Sequence, residues 1–189
     1  LFSLRRNYFV PDPKILNARD FGLAQKRERI YIVGFLKNIK VNFEYPLPSY
    51  ESTQVKDFLE KKVDKSFIIS DRLWNGHKKR RIKNKKLGKG FGYKLTYPHD
   101  RFTRAISARY YKDGGECLIY RGRVKNPRKL TPRECFNLQG FPKSFKICKS
   151  NIPAYKHAGN SVPINVVEKI LVGMINCILK NERSNKLVA

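Results

Sequence analysis

The chain has 189 residues, the length of one domain or two small ones, and its 41% hydrophobic content suffices for a packed core. Lys+Arg 41 against Asp+Glu 15 leave a formal charge of +26, which argues for a polyanionic partner, most simply nucleic acid, over a merely solvated basic surface. Membrane, disulfide and metal classes find no support. No apolar run approaches spanning length, no signal peptide is visible, and Cys117, Cys135, Cys148 and Cys177 form neither a CxxC pair nor a zinc spacing. The four read as reduced thiols of an intracellular protein. The chain opens at Leu1 rather than Met, so it is expected to be the C-terminal piece of something longer.

Residues 1–40 read as the last turns of a helix (Leu1–Arg6), two extended stretches (Tyr8–Val10 and Lys14–Ala18) separated by Pro11 and Pro13, a turn at Asp20-Phe21-Gly22, and a buried strand over Arg29–Phe35 rich in β-branched and aromatic residues. On that strand Gln25, Arg27 and Arg29 share a face by period-2 spacing. Two guanidinium forks and an amide on one face make a phosphate clamp. The residues alone leave equally open a surface strand paired with carboxylates.

Residues 41–127 are the least regular. Tyr45-Pro46-Leu47-Pro48 is a connector, Ser52–Val63 has helical spacing with Val55, Phe58, Leu59 and Val63 on one face, and Phe67-Ile68-Ile69 is a short strand candidate. The basic run from His77 to Lys89 reads as a disordered arm in isolation, but its continuation, Gly88-Lys89-Gly90-Phe91-Gly92-Tyr93, interleaves glycines, a cation and aromatics that can stack on or wedge between bases. A glycine-rich hairpin loop with a buried Phe is the alternative. The stretch from Phe102 to Gly115 carries Arg104, Ser107, Arg109 and Tyr110, donors suited to base edges or phosphates, near a turn at Asp113-Gly114.

Residues 128–189 hold the clearest local signals. Thr131 as N-cap, Pro132 at the first helical position and Glu134 at the third open a helix that closes near Gly140-Phe141-Pro142. Cys135, beside Phe136 and Leu138, reads as a small core residue rather than a nucleophile, and His157 as a packing or hydrogen-bonding residue rather than a base. Gly159-Asn160-Ser161 reads as a turn, with Ser161 capping and Pro163 opening a long helix whose apolar positions run from Val162 to Leu179. Free N–H groups at such a start suit a polar or anionic ligand.

Three stretches, in order, resemble motifs of the (cytosine-5) DNA methyltransferases. Asn17-Ala18-x-Asp20-Phe21-Gly22-x-x-Gln25-x-Arg27-x-Arg29-Ile30-Tyr31-Ile32-Val33-Gly34-Phe35 resembles the eighth of ten. Arg128-x-Leu130-Thr131-Pro132-Arg133-Glu134-Cys135-x-x-Leu138-Gln139-Gly140-Phe141-Pro142 resembles the ninth. Gly159-Asn160-Ser161-Val162-Pro163-x-Asn165-Val166-Val167 resembles the tenth. Two positions depart from the pattern: Ala24 stands where the family often has Pro, and Ala105 where many members have Thr. The resemblance implies that Gln25 and Arg27 hold DNA phosphates and that Arg29 reaches a flipped cytosine. It implies that the segment between the motifs is a target-recognition domain, with Lys89, Phe91 and Tyr93 on one loop and Arg104, Ser107, Arg109 and Tyr110 on another. It also implies that Gly159, Asn160, Ser161 and Val162 line part of an S-adenosylmethionine pocket.

The implied fold is α/β: the C-terminal part of a doubly wound, Rossmann-like methyltransferase core, with a smaller irregular, mostly β target-recognition domain. Residues 1–40 end the core, 41–127 form the recognition domain, and 128–189 return to the core. The implied reaction is methyl transfer from S-adenosylmethionine to C5 of a flipped cytosine in a specific duplex site, in a restriction-modification system of a bacterial cytoplasm. The family's glycine-rich cofactor loop, Pro-Cys nucleophile and Glu-Asn-Val motif are not in this sequence. Activity therefore requires an N-terminal half or companion subunit, besides double-stranded DNA as partner. A non-catalytic sequence-specific DNA-binding subunit and a basic RNA-binding protein stay open.

Overall fold

The structure, a computed structural model, describes residues 1–39 and 41–187. A single helical turn, α1 (Leu4–Asn7), leads into β1 (Tyr8–Phe9) and, past the two prolines, β2 (Lys14–Asn17). A 3-10 turn over Ala18–Phe21 reverses the chain; the Asn17 side chain accepts from Arg19 N–H at its start, and Gly22 closes it at φ 75°, where a side chain would be strained. Then come β3 (Gln25–Lys26), β4 (Glu28–Tyr31) and β5 (Phe35–Leu36). β4 pairs antiparallel with β2, setting Ile15 opposite Ile30 and Leu16 opposite Arg29, and β5 returns to pair with β1. The expected buried strand over 29–35 is covered on one face only. Leu16, Val33 and Phe35 are buried, while Ile15, Ile30 and Ile32 face outward. Alternation puts the two sets on opposite sides, and only one side has a layer above it.

The middle segment departs furthest from expectation. Instead of a helix over 52–63 there is a 3-10 turn, Val55–Phe58, after which Leu59 is extended and the Glu60 N–H donates to the Glu134 carboxylate at 2.9 Å instead of continuing a helix. A second 3-10 turn, Lys65–Phe67, stands where a strand was expected, and Ile68 makes only an isolated bridge to Arg128. The basic run is not a disordered arm: up to Lys86 it forms the C-terminal part of α2 (Asp71–Lys86), capped by Ser70, whose hydroxyl accepts from Leu73 N–H. Short strands follow, β6 (Leu95–Thr96), β7 (Thr103–Arg104), β8 (Leu118–Ile119) and β9 (Arg128–Lys129). β6, β8 and β9 form one sheet in that order, and β7 runs parallel to β3.

The capping box at Thr131 and Glu134 forms as read and opens α3 (Pro132–Asn137). Next come α4 (Asn151–Asn160) and α5 (Ile164–Leu187), bent 42° from one another across 161–163. One core, around Ile106, Tyr110, Leu130, Cys135, Leu138 and Tyr155, joins the middle segment to α3 and α4. A second seats Val166 and Ile170 of α5 on Leu16, Phe21, Val33 and Phe35. Among the described residues no strand exceeds four residues and no doubly wound parallel sheet forms. No single described helix is long and apolar enough to cross a membrane.

Candidate functional site

The eighth- and tenth-motif stretches meet at Arg27. Its guanidinium donates to the carbonyls of Ile106 (3.0 Å), Gly159 (2.8 Å) and Ser161 (2.7 Å), so one side chain of the hairpin holds the middle segment and the α4–α5 turn. Burial, then the like charge of Arg29, lowers the Arg27 pKa to about 10, with Tyr31 acting weakly the other way. The group stays protonated at neutral pH. Gln139 braces the same turn: its amide donates to the Ala158 carbonyl at 2.6 Å and accepts from the Ser161 hydroxyl at 2.8 Å, while its backbone carbonyl takes the Ile164 N–H. Gly159 completes the junction. A Cβ there would lie 2.2 Å from the Ala108 nitrogen and 2.3 Å from the Ser107 carbonyl carbon, so only glycine lets α4 approach that segment.

These contacts correct several expectations. Arg27 shares a face with Arg29, but three of its N–H donors go to carbonyls and it is 2% exposed, so it is held inside the chain and not on the open face expected of a phosphate clamp. Gln25 is fully buried, with neither amide atom bonded to a described residue, and cannot reach a phosphate. Arg29 remains exposed, donating only to its neighbour's carbonyl at 2.7 Å. Tyr110 is core: its hydroxyl donates to the Cys117 carbonyl and accepts from Leu130 N–H, and its ring stands edge-on to Tyr155. Ser161 caps the C-terminus of α4 rather than the N-terminus of α5. Its N–H goes to Ala158 and the Ile164 N–H to Gln139, so neither of these two is free for a ligand. Asn160 and Val162 are the residues of this turn left exposed.

A second feature is a groove of about 470 Å³ lined by Arg81, Lys85, Lys89, Phe91, Tyr93 and Arg104, among others. Arg104 lies over the Phe91 ring at 5.9 Å and Arg81 over Tyr93 at 4.9 Å, so guanidinium planes and rings alternate along it. Tyr93 is fixed edge-on against Trp74 of α2. Gly92 is pressed onto the Arg81 backbone, where a Cβ would lie 2.7 Å from its Cα. Ser107 and Arg109 are exposed beyond this groove; the Ser107 hydroxyl donates to Glu116 at 2.6 Å and accepts from Arg109 N–H.

A family model for C-5 cytosine-specific DNA methylases matches residues 3–176. The chain belongs to that family. Among curated relatives, a type II methyltransferase of Dactylococcopsis salina, M.DsaV, is 46% identical over 98% of the chain and 53% of its own length. Another, M.NlaX of Neisseria lactamica, is 51% identical over 83% of the chain and 50% of its own length. The chain thus spans about half the length of the curated relatives it matches. Solved structures of an Entamoeba histolytica methyltransferase and of the S. pombe Dnmt2 methyltransferase superpose with TM-score 0.70 each. They are 21% identical, cover 92% and 91% of the chain, and are themselves covered over 55% and 57%. They establish an α/β methyltransferase fold.

The buried thiols are not nucleophiles. Burial raises Cys117 to about 12 and pushes Cys135 well above the usual thiol range. Among the described residues no cluster of His, Cys, Asp and Glu suits a metal. Two ties escaped the sequence reading. Gln139 carried no signal beyond its place in the ninth-motif stretch. Glu134, read only as a cap, also forms a buried bidentate pair with Arg128 at 2.7 and 2.8 Å; Arg128 stood six residues upstream in the same quoted stretch.

Proposed function

We propose that the chain is the DNA-recognition and C-terminal part of a DNA (cytosine-5)-methyltransferase of a bacterial restriction-modification system, acting in the cytoplasm. The observation that carries this is the groove of alternating cations and rings on a chain of +26, a surface that tracks a phosphate backbone while offering faces to bases. Phe91 and Arg104 read the target, Lys89 neutralises phosphate, and Ser107 and Arg109 extend the recognition surface. Arg29, exposed one alternation beyond the Arg27 junction, is the cation placed to meet an extruded cytosine.

S-adenosylmethionine supplies the methyl group when bound. Asn160 offers it an amide and Val162 an aliphatic contact, a donor set that fits one wall of such a pocket, while Arg27, Gln139 and Gly159 hold that wall in place. The chain alone therefore binds the cofactor weakly. The nucleophile and the remaining walls come from an N-terminal half, whose docking face is the uncovered side of the hairpin and of α5.

The test compares affinities for related duplexes. Phe91→Ala or Arg104→Ala should cut discrimination between the preferred site and single-base variants by about 1–3 kcal/mol, with little change on unrelated DNA. Uniform weakening across all sequences, or equal affinity of the parent chain for duplex RNA, contradicts the reading.

A further inference from the structure

Helix α2 carries more cationic charge than its capping or packing requires. One face is anchored. His77 is buried, its Nε2 donating to the Asp113 carbonyl at 3.1 Å and its Nδ1 accepting from Arg80 at 2.8 Å; Arg80 also bonds the Asp113 carboxylate and the Gly92 carbonyl. These bonds fix the helix against the glycine loop and the turn at 113–115. At about 100° per residue, the exposed cations fall into two rows. Lys78, Arg81 and Lys85 run along the flank that borders the groove. Arg72, Lys79, Lys83 and Lys86 run along the opposite flank, roughly 130° around the helix. Among the described residues, no carboxylate pairs with any of the seven.

Like charges at i, i+3 and i, i+4 repel, so each row destabilises the free helix. Helix-dipole compensation accounts for the last turn but not for Arg72, Lys78 or Lys79. A polyanion relieves that repulsion. The spacing selects which one. Two cationic rows on a rod 10–12 Å across match the facing phosphate strands of a groove roughly 12 Å wide.

We propose that α2 is a second DNA-contacting element, which lies along a major groove of duplex DNA flanking the segment held by the glycine loop. It rests on the DNA-recognition reading above and adds a footprint that the recognition loops do not supply. The outer row spans about 21 Å at 1.5 Å per residue, or roughly six base pairs at about 3.4 Å each.

The test uses the full chain with all four outer cations replaced (Arg72→Gln, Lys79→Gln, Lys83→Gln, Lys86→Gln). A companion variant (Lys79→Arg, Lys83→Arg, Lys86→Arg) keeps the charge. Glutamine retains helix propensity, and circular dichroism reports whether α2 persists. Affinity is measured against salt on duplexes long enough, and too short, to reach α2. The glutamine variant should lower the salt slope on the long duplex by about 3.6 units, near 0.9 for each of the four lost phosphate contacts, and lose little on the short one. The arginine variant should keep the parent slope. An unchanged slope, an equal loss on both lengths, or a loss in the arginine variant overturns the proposal. A parent chain without duplex affinity overturns it together with the DNA reading, whereas a parent slope that survives the glutamine changes overturns α2 alone.

Discussion

Arg27 ties three stretches of the chain together through one side chain. A guanidinium offers five donors in a fixed fork, and here three carbonyls from two distant segments take three of them. Truncation leaves those carbonyls unpaired in the interior, so Arg27→Ala should destabilise the chain by about 3 kcal/mol or more. The salt slope of DNA binding should stay as in the parent, since no phosphate contact is lost. Urea denaturation beside a salt titration separates the two effects; an unchanged urea midpoint with a slope lowered by about one unit would restore the phosphate reading.

His77 carries a second consequence at this scale. Burial lowers its pKa; the Asp113 carbonyl and carboxylate raise it in part, and Arg80 lowers it further, while Tyr93 and Gly115 close the remaining sides. The unfolded chain then binds more protons than the folded one below the usual histidine pKa of about 6.5, so stability falls as pH drops through that window. Asp113, also lowered, adds its loss only near and below the usual carboxylate range. His77→Gln should flatten the fall in urea midpoint between about pH 7 and pH 5. A variant with the parent's pH slope would show that the imidazole is not its source.

Among the elements, the packing of α4 on the Ser107–Ala108 segment depends on a single missing side chain. Gly159→Ala drives a methyl group into the Ser107–Ala108 backbone, which cannot rotate away as a flexible side chain would. The cost should be about 1–3 kcal/mol, with the segment carrying Arg104 and Ser107 displaced. Hydrogen exchange over 103–110 should therefore speed up, whereas exchange that changes only within α4 would contradict the contact.

What the sequence disclosed at this scale follows from where the stabilising interactions are made. The capping box of α3 was legible because cap and third residue are neighbours in the chain. The hairpin turn was legible because Gly22 must adopt a left-handed φ. α2 was not legible: its inward face is Leu73, Trp74, His77 and Arg80, two of them polar, so the apolar period that marks a helix is almost missing. The burial of Gln25 and Arg27 was hidden for a related reason. Both are spaced as an exposed polar face would be, and only β7 and the α4–α5 turn, distant in sequence, cover them.

Over the whole molecule, apolar surface is left over on one side. α5 buries Val166 and Ile170 against the hairpin and exposes Leu171, Ile175 and Leu179 on another stripe, while Ile15, Ile30 and Ile32 stand exposed on the hairpin's outer face. A helix apolar on two sides is a helix meant to be covered on both. Without a partner half the chain should self-associate at micromolar concentration. Ile175→Glu should restore a monodisperse monomer in sedimentation without loss of duplex affinity; a parent chain that is already monomeric would count against a docking face.

If this chain completes a cytosine-5 methyltransferase as proposed, single-turnover methyl transfer will show it. The chain is mixed with the proposed N-terminal half, saturating duplex and labelled S-adenosylmethionine. The account predicts label on cytosine C5 only when both halves are present. It predicts an Arg29→Ala variant that binds duplex nearly as the parent does but turns over more slowly, because its contact forms only after the base leaves the stack. No transfer from a complex that forms and binds DNA, or an Arg29→Ala variant that loses affinity while keeping its rate at saturation, would contradict it.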